Sequence, residues 1–230
     1  MLPGLFLFDL DGTLVDTAPD LGGAVNDMRI ARGLEPLPLE CLREPAGHGA
    51  PKLLKTAFNM ETTDPEYAAM RLEFLRNYAA RGVSHSPLFP GIRELLEALR
   101  EMRVPMGVVT NKPQELADKV CRDLDLADFM EVVIGLGPEG TKLKPAPDSL
   151  LLALRKTGIP AERTLYAGDN TCLLYTSDAA DNTKDALAAQ AARMPFAFVA
   201  WGCQQELPDA QLYECAARTP ADLMSWMLRR

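Results

Sequence analysis

The sequence predicts an α/β protein: a doubly wound parallel sheet with a helical insert behind its first strand. Three observations carry this. Short apolar runs alternate with helical segments along most of the chain, the pattern of strands joined by helical crossovers. Polar residues stand just past the ends of those runs, namely Asp9 and Asp11, Thr110 and Asn111, and Asp169. In such a sheet the strand ends converge on one rim, where ligands bind. The stretch from Asp16 to Leu88 carries helical patterns and no convincing strand.

Leu5-Phe6-Leu7-Phe8 is an apolar run short enough for a buried strand, and it stops in Asp9-Leu10-Asp11-Gly12-Thr13. Asp16 to Arg32 has near-helical apolar spacing, with Gly33 as a C-terminal stop. Leu39 to Pro45 reads as a short helix, and a glycine-rich turn at Ala46 to Pro51 feeds another from Lys52 to Phe58. Asp64-Pro65 reads as a cap with proline in the first turn of a helix that ends at Arg81. Pro90-Gly91 opens an amphipathic helix with Ile92, Leu95, Leu96, Leu99 and Met102 on one face.

Val104 to Lys112 is a second strand, followed by a helix from Pro113 to Leu124. Glu131 to Gly135 is a third strand, and Gly137 to Pro147 a loop holding Lys142 and Lys144. A helix spans Asp148 to Thr157, a fourth strand Arg163 to Gly168, a helix Lys184 to Arg193 and a fifth strand Pro195 to Ala200. Pro220 to Arg230 closes the chain as a helix with Leu223, Trp226 and Met227 as its apolar face.

With 230 residues, 47% of them apolar, the chain can build one large domain or a core plus an insert. A net charge of −8 and a pI near 4.9 argue against nucleic-acid or anionic-membrane partners. No basic flank precedes the first apolar residues and no stretch approaches the length of a membrane span, so neither a signal peptide nor a transmembrane helix is expected. Five scattered cysteines without a CxxC pair suit reduced thiols in the cytoplasm, and two histidines make a His-based zinc site improbable.

The acids after the first strand have a chemical reading. A bend allowed by Gly12 lets the carboxylates of Asp9 and Asp11 approach one reacting group. One could attack phosphorus to form an aspartyl-phosphate; the other could protonate the leaving oxygen and then activate water. Two acids beside a phosphate need a cation between them, and Mg²⁺ matches oxygen ligands. Thr110-Asn111 offers a hydroxyl and a backbone N–H suited to phosphoryl oxygens.

Asp9-Leu10-Asp11-Gly12-Thr13-Leu14-Val15-Asp16-Thr17 resembles motif I of the haloacid dehalogenase superfamily, DxDGTLxDT, in full. Thr110-Asn111-Lys112-Pro113 resembles motif II as found in phosphoglycolate-phosphatase-like members, Lys144-Pro145-Ala146-Pro147 resembles motif III, and Gly168-Asp169 resembles the start of the GDxxxD of motif IV. Met194 to Gly202 looks like the family's final strand. The resemblance implies a Rossmann-like hydrolase core at residues 1–15 and 89–230, and a type C1 helical cap at 16–88. It also implies Asp9 as nucleophile, Asp11 as acid and base, and Lys144, rather than Lys142, neutralising the nucleophile–phosphate charge. Mg²⁺ would sit on Asp9, the Asp11 carbonyl and Asp169. The implied partner is a small-molecule phosphate ester, the oligomeric state a monomer or homodimer.

Motif IV departs from the pattern. Leu173 stands four residues after Asp169 where an acid is expected, and Asp169-Asn170-Thr171 recurs as Asp181-Asn182-Thr183. Removing Cys172 to Thr183 restores GDxxxD with Asp185 as the second acid, completing a metal set of Asp9, Asp11, Asp169 and Asp185. The removed stretch looks like a translated sequencing-adapter fragment, an in-frame artefact of assembly; the alternative is a genuine loop insertion. Two registers are open: Asp169 stays at the strand end with Asp185 displaced, or Asp181 slides into its place. The first is favoured because Asp169 follows the strand directly, and weakened metal binding is expected.

Gly47-His48-Gly49 resembles the substrate-facing cap loop of phosphoglycolate phosphatases, so His48 either contacts a substrate carboxylate or is a plain turn residue. Thr17-Ala18-Pro19-Asp20, Arg71 to Leu75 and His85 to Phe89 also resemble N-acetylmuramic acid 6-phosphate phosphatases. The expected function is a Mg²⁺-dependent phosphomonoesterase, with 2-phosphoglycolate first and N-acetylmuramic acid 6-phosphate second. A sugar phosphomutase shares every motif, and a non-catalytic binding protein is admitted only through the interrupted motif IV. Asp11 argues against a dehalogenase, which would not need it.

Overall fold

The structure, a computed structural model, describes residues 2–137, 140–169, 184–202 and 210–229. Six strands among them form one all-parallel sheet: β1 (Leu5–Phe8), β2 (Met106–Pro113), β3 (Met130–Leu136), β4 (Thr164–Gly168), β5 (Phe196–Val199) and β6 (Cys215–Ala217). The spatial order is β3-β2-β1-β4-β5-β6, so the chain builds outward from β1 in one direction and then restarts at β4 on its other side. That reversal opens a crevice between the carboxyl ends of β1 and β4. Central β1 is buried along its whole length, which is why Leu-Phe-Leu-Phe is continuously apolar rather than alternating. Phe8 lies opposite Val108 in β2 and Ala167 in β4, so Asp9 and Gly168-Asp169 leave the sheet at nearly the same level. The Asp9 amide donates to the Ala167 carbonyl at 2.8 Å and fixes that register to its end.

Nine α-helices occur among the described residues. They are α1 (Ala18–Ala31), α2 (Leu39–Gly47), α3 (Ala50–Phe58), α4 (Tyr67–Arg81), α5 (Ile92–Glu101), α6 (Gln114–Asp123), α7 (Asp148–Thr157), α8 (Lys184–Ala191) and α9 (Pro220–Leu228). None is long and apolar enough to cross a membrane. α5 buries Ile92, Leu95, Leu96 and Leu99, the stripe its spacing predicts. α9 starts at a reciprocal cap in which Thr219 accepts from the Asp222 amide and Asp222 from the Thr219 amide. One core face joins Leu5 and Leu7 of β1 to Tyr166, Phe196 and Phe198 and to Leu150, Ala153 and Ala189 of the covering helices.

The chain divides into two compact units, Met1–Val15 with Leu88–Arg230, and Asp16–Pro87. The sequence reading has its second boundary one residue later. Within the helical unit, α1 packs against α2 and α4. Asn26 bonds both backbone groups of Leu37 at 2.8 Å. Asp20, fully buried, accepts from the His85 amide at 2.8 Å and the Ser86 hydroxyl at 2.7 Å, tying the start of α1 to the segment that leaves the unit.

Three local expectations are corrected. The sequence predicts five strands, the last at Pro195–Ala200; the described residues contain a sixth, β6. Cys-Ala-Ala carries neither alternation nor strong strand propensity, and pairing with β5, Ala197 opposite Cys215 and Val199 opposite Ala217, makes it a strand. α4 begins at Tyr67 rather than Pro65, because the Asp64 carboxylate accepts from the Glu61 amide at 2.7 Å and serves the preceding turn. The turn expected at Ala46–Pro51 is only His48-Gly49, since α2 runs on to Gly47 and α3 starts at Ala50.

Candidate active site

The site stands at the carboxyl edge of β1, β2 and β4. Asp9 follows β1 and is 9% exposed, with Oδ1 accepting from the Leu10 amide at 2.8 Å. The chain then turns: the Leu14 and Val15 amides both donate to the Leu10 carbonyl at 3.0 Å. Gly12 is required here twice over. Its φ is +79°, and a Cβ there would overlap the Asp169 carboxylate.

Asp169 lies just past β4, and Asp185 in the first turn of α8 is fully buried. One carboxylate oxygen from each of Asp9, Asp169 and Asp185 lies within 4.8 Å of the others. The expectation that Asp185 is displaced while Asp169 holds the strand end is therefore corrected: both meet Asp9. Gly168 makes room, since a Cβ there would come 2.5 Å from Asp185 Oδ2. Lys144 and Tyr166 hold the other oxygen. The alternative register through Asp181, and the stretch Cys172–Thr183 itself, lie outside the described residues.

Lys144 is buried at the centre of the group, whereas Lys142 is exposed. Its Nζ lies 2.6 Å from Asp185 Oδ1 and 3.2 Å from Asp9 Oδ1, and donates to the Tyr166 hydroxyl at 2.7 Å. Tyr166 donates in turn to Asp185 Oδ1 at 2.7 Å. Asn111 pins the lysine's backbone: Oδ1 accepts from the Lys144 amide at 2.8 Å, and Nδ2 donates to its carbonyl at 3.2 Å. The Asn111 side chain thus serves the lysine loop. Thr110 is buried, its hydroxyl accepting from the Lys112 amide at 3.2 Å.

The Asp11 carboxylate is not part of the three-acid group. Its two oxygens take the Nζ of Lys112 at 2.8 and 2.9 Å. His48 belongs to the helical unit, where it follows α2 with Nε2 3.1 Å from Glu44 Oε1. Sequence reasoning missed Lys112, Tyr166 and Thr13, whose hydroxyl donates to Asp169 Oδ1 at 2.9 Å. The one available signal was that Lys112 and Tyr166 sit on strands whose ends carry the named residues.

Burial raises the Asp9 carboxyl to about 7; Lys144 opposes this, while Asp185 and Asp11 add to it. Asp169 is raised well above its ordinary value by burial, then by Asp9 and Asp185. Burial alone would lower Lys144, but the carboxylates of Asp185 and Asp9 prevail and raise it. Ionising all three acids would set three negative charges against one ammonium in a largely buried place, and the atoms they bring together are carboxylate oxygens. That donor set fits a hard divalent cation.

Three acids gathered around a buried lysine, at the switch point of a doubly wound parallel sheet, mark the site of an α/β hydrolase. The profile described as haloacid dehalogenase-like hydrolase matches residues 6–199, and the chain belongs to that family. It is 33% identical to a phosphoglycolate phosphatase of Pseudomonas fluorescens over 91% of this chain and 74% of that one. It is 36% identical to one of Xanthomonas campestris (87% and 84%) and 38% identical to an N-acetylmuramic acid 6-phosphate phosphatase of Pseudomonas aeruginosa (71% and 72%). Among solved structures it shares its fold with a predicted phosphoglycolate phosphatase from Haemophilus somnus, at TM-score 0.78, 24% identity and 97% coverage of both chains. A predicted phosphatase from Clostridium acetobutylicum superposes with TM-score 0.75 at 20% identity, covering all of both chains.

Proposed function

We propose that this chain is a Mg²⁺-dependent phosphomonoesterase working through an aspartyl-phosphate on Asp9, with 2-phosphoglycolate as its preferred substrate. The observation that carries the reading is Asp9 itself: a carboxylate at the switch point, 3.2 Å from Lys144, with two further acids beside it. An Asp9 oxygen attacks phosphorus as the ester P–O bond breaks, and Asp11, in the general-acid role, delivers a proton to the leaving alkoxide. Asp11 then takes a proton from water, whose oxygen attacks the acyl-phosphate phosphorus and returns Asp9 as a carboxylate with free phosphate. Lys144 holds Asp9 in line, and Thr110 and the Asn111 amide face the transferring oxygens. Asp9, Asp169, Asp185 and the Asp11 carbonyl would hold the cation, which when bound offsets the charge of the carboxylates and the phosphoryl group.

The names of the relatives support the substrate class, and two of them favour different esters. The N-acetylmuramic acid 6-phosphate phosphatase has 38% identity, so that ester is the second reading. In either case residues 16–87 are the cap that reads the leaving group, His48 its candidate carboxylate contact. The same reading has the chain in the cytoplasm, as a monomer or homodimer; Cys41, Cys121 and Cys215 are free thiols. The test is Mg²⁺-dependent phosphate release from the two esters in parallel, with Asp9→Asn as control. Release by the parent and none by Asp9→Asn is expected, and the faster ester names the enzyme. Turnover by Asp9→Asn would refute the nucleophile.

A further inference from the structure

The turn that carries Asp11 is braced from a third strand end. After β5, the Trp201 indole Nε1 donates to the Thr13 carbonyl at 2.8 Å. The next residue, Gly202, lies so close that a Cβ on it would overlap the Gly12 carbonyl oxygen. Gly202 is therefore demanded by close approach and not by a left-handed φ. Thr13 is fully buried and passes the contact on, its hydroxyl donating to Asp169 Oδ1 at 2.9 Å. Bonds within the turn, Gly12 amide to Val15 carbonyl at 2.9 Å and Leu14 amide to Leu10 carbonyl at 3.0 Å, set its shape. Its placement against the ends of β4 and β5 is held by Trp201, Gly202 and the Thr13–Asp169 bond.

We propose that Trp201 and Gly202 are positioning residues of the acidic site: they hold the Gly12–Thr13 turn so that Thr13 keeps the Asp169 carboxylate aimed at Asp9 and Asp185. Trp201 acts through Thr13. The inference rests on the cation site proposed above for its metal readouts only.

Trp201→Phe keeps the ring's bulk and deletes the N–H. In the metal-free chain, hydrogen exchange at the Gly12, Thr13 and Leu14 amides is expected to quicken about twofold to tenfold, the range one neutral hydrogen bond spans. Mg²⁺ affinity, read by calorimetry, is expected to fall by a similar factor. The chain has two tryptophans, so Trp226→Phe leaves Trp201 as the sole tryptophan; its fluorescence, excited at the red edge where tyrosine does not absorb, should change on adding Mg²⁺, and that of Trp201→Phe should not. Gly202→Ala, which pushes directly on the Gly12 carbonyl, should weaken Mg²⁺ binding further. Unchanged amide exchange in Trp201→Phe overturns the brace. Faster exchange with unchanged Mg²⁺ affinity overturns its link to Asp169. Faster exchange with no Mg²⁺ binding even by the parent would sink the cation site and leave the brace standing.

Discussion

Lys144 and Asp185 form a buried ion pair, Nζ to Oδ1 2.6 Å, across 41 residues of sequence. The doubled Asp-Asn-Thr stretch lies between them, yet Asp185 arrives beside Asp9 and Asp169. The pair is made by what surrounds it: Tyr166 donates to the same carboxylate oxygen, and Gly168 leaves space where a side chain would collide.

Lys144→Ala should abolish turnover and destabilise the metal-free chain by about 3–5 kcal/mol, the cost of leaving buried charges without their partner. Protonation of the stranded carboxyls relieves that cost, so the loss should be larger at pH 8 than at pH 5.5. Urea unfolding at the two pH values checks both the size and the trend.

Metal and protons should compete. Asp9 titrates near 7 in the folded metal-free chain against an ordinary 3.8, so the folded state holds its proton more tightly than the unfolded state does. That stabilisation is complete below the unfolded value and is lost as pH rises through about 7. Removing the cation should therefore hurt stability most at alkaline pH. Mg²⁺ affinity should climb between pH 5.5 and 7.5, with about one proton or more released per ion at pH 6. Calorimetry in two buffers of different ionisation enthalpy counts those protons.

Lys112 holds both oxygens of Asp11, so Lys112→Met should disturb the acid–base step and spare the cation site. We expect kcat to fall by about 10² or more, the usual worth of a positioned proton donor, with Mg²⁺ affinity unchanged. A rise in KM at constant kcat would instead make Lys112 a substrate-binding residue.

Because Asp169 and Asp185 already meet Asp9, a chain lacking Cys172–Thr183 should bind Mg²⁺ as the full chain does and release phosphate at the same rate. Activity confined to the shortened chain would restore the view that the interruption disables the site.

Much of this molecule was legible locally. Leu5–Phe8 reads as a buried strand because burial on both faces demands unbroken apolarity, and Asp9 and Asp11 mark its end. The bounds of α7 follow from Asp148 and Gly158. Pro-x-Pro after Lys144 separated it from Lys142, and the structure buries the first and exposes the second. Illegible were β6, which has no pattern of its own, and the partners of the named acids.

The sequence by itself determined the alternating architecture, the helical insert and which strand ends carry chemistry, because periodicity and turn residues are encoded within about ten neighbouring positions. Tertiary structure alone decided that Lys112 serves Asp11 across 101 residues, that Trp201 reaches Thr13 across 188, and that Asp185 joins Asp9 and Asp169. Those contacts depend on which strands the sheet order sets side by side. β1 lies between β2 and β4 only once the whole sheet has formed, and no local pattern records a neighbour so distant in the chain.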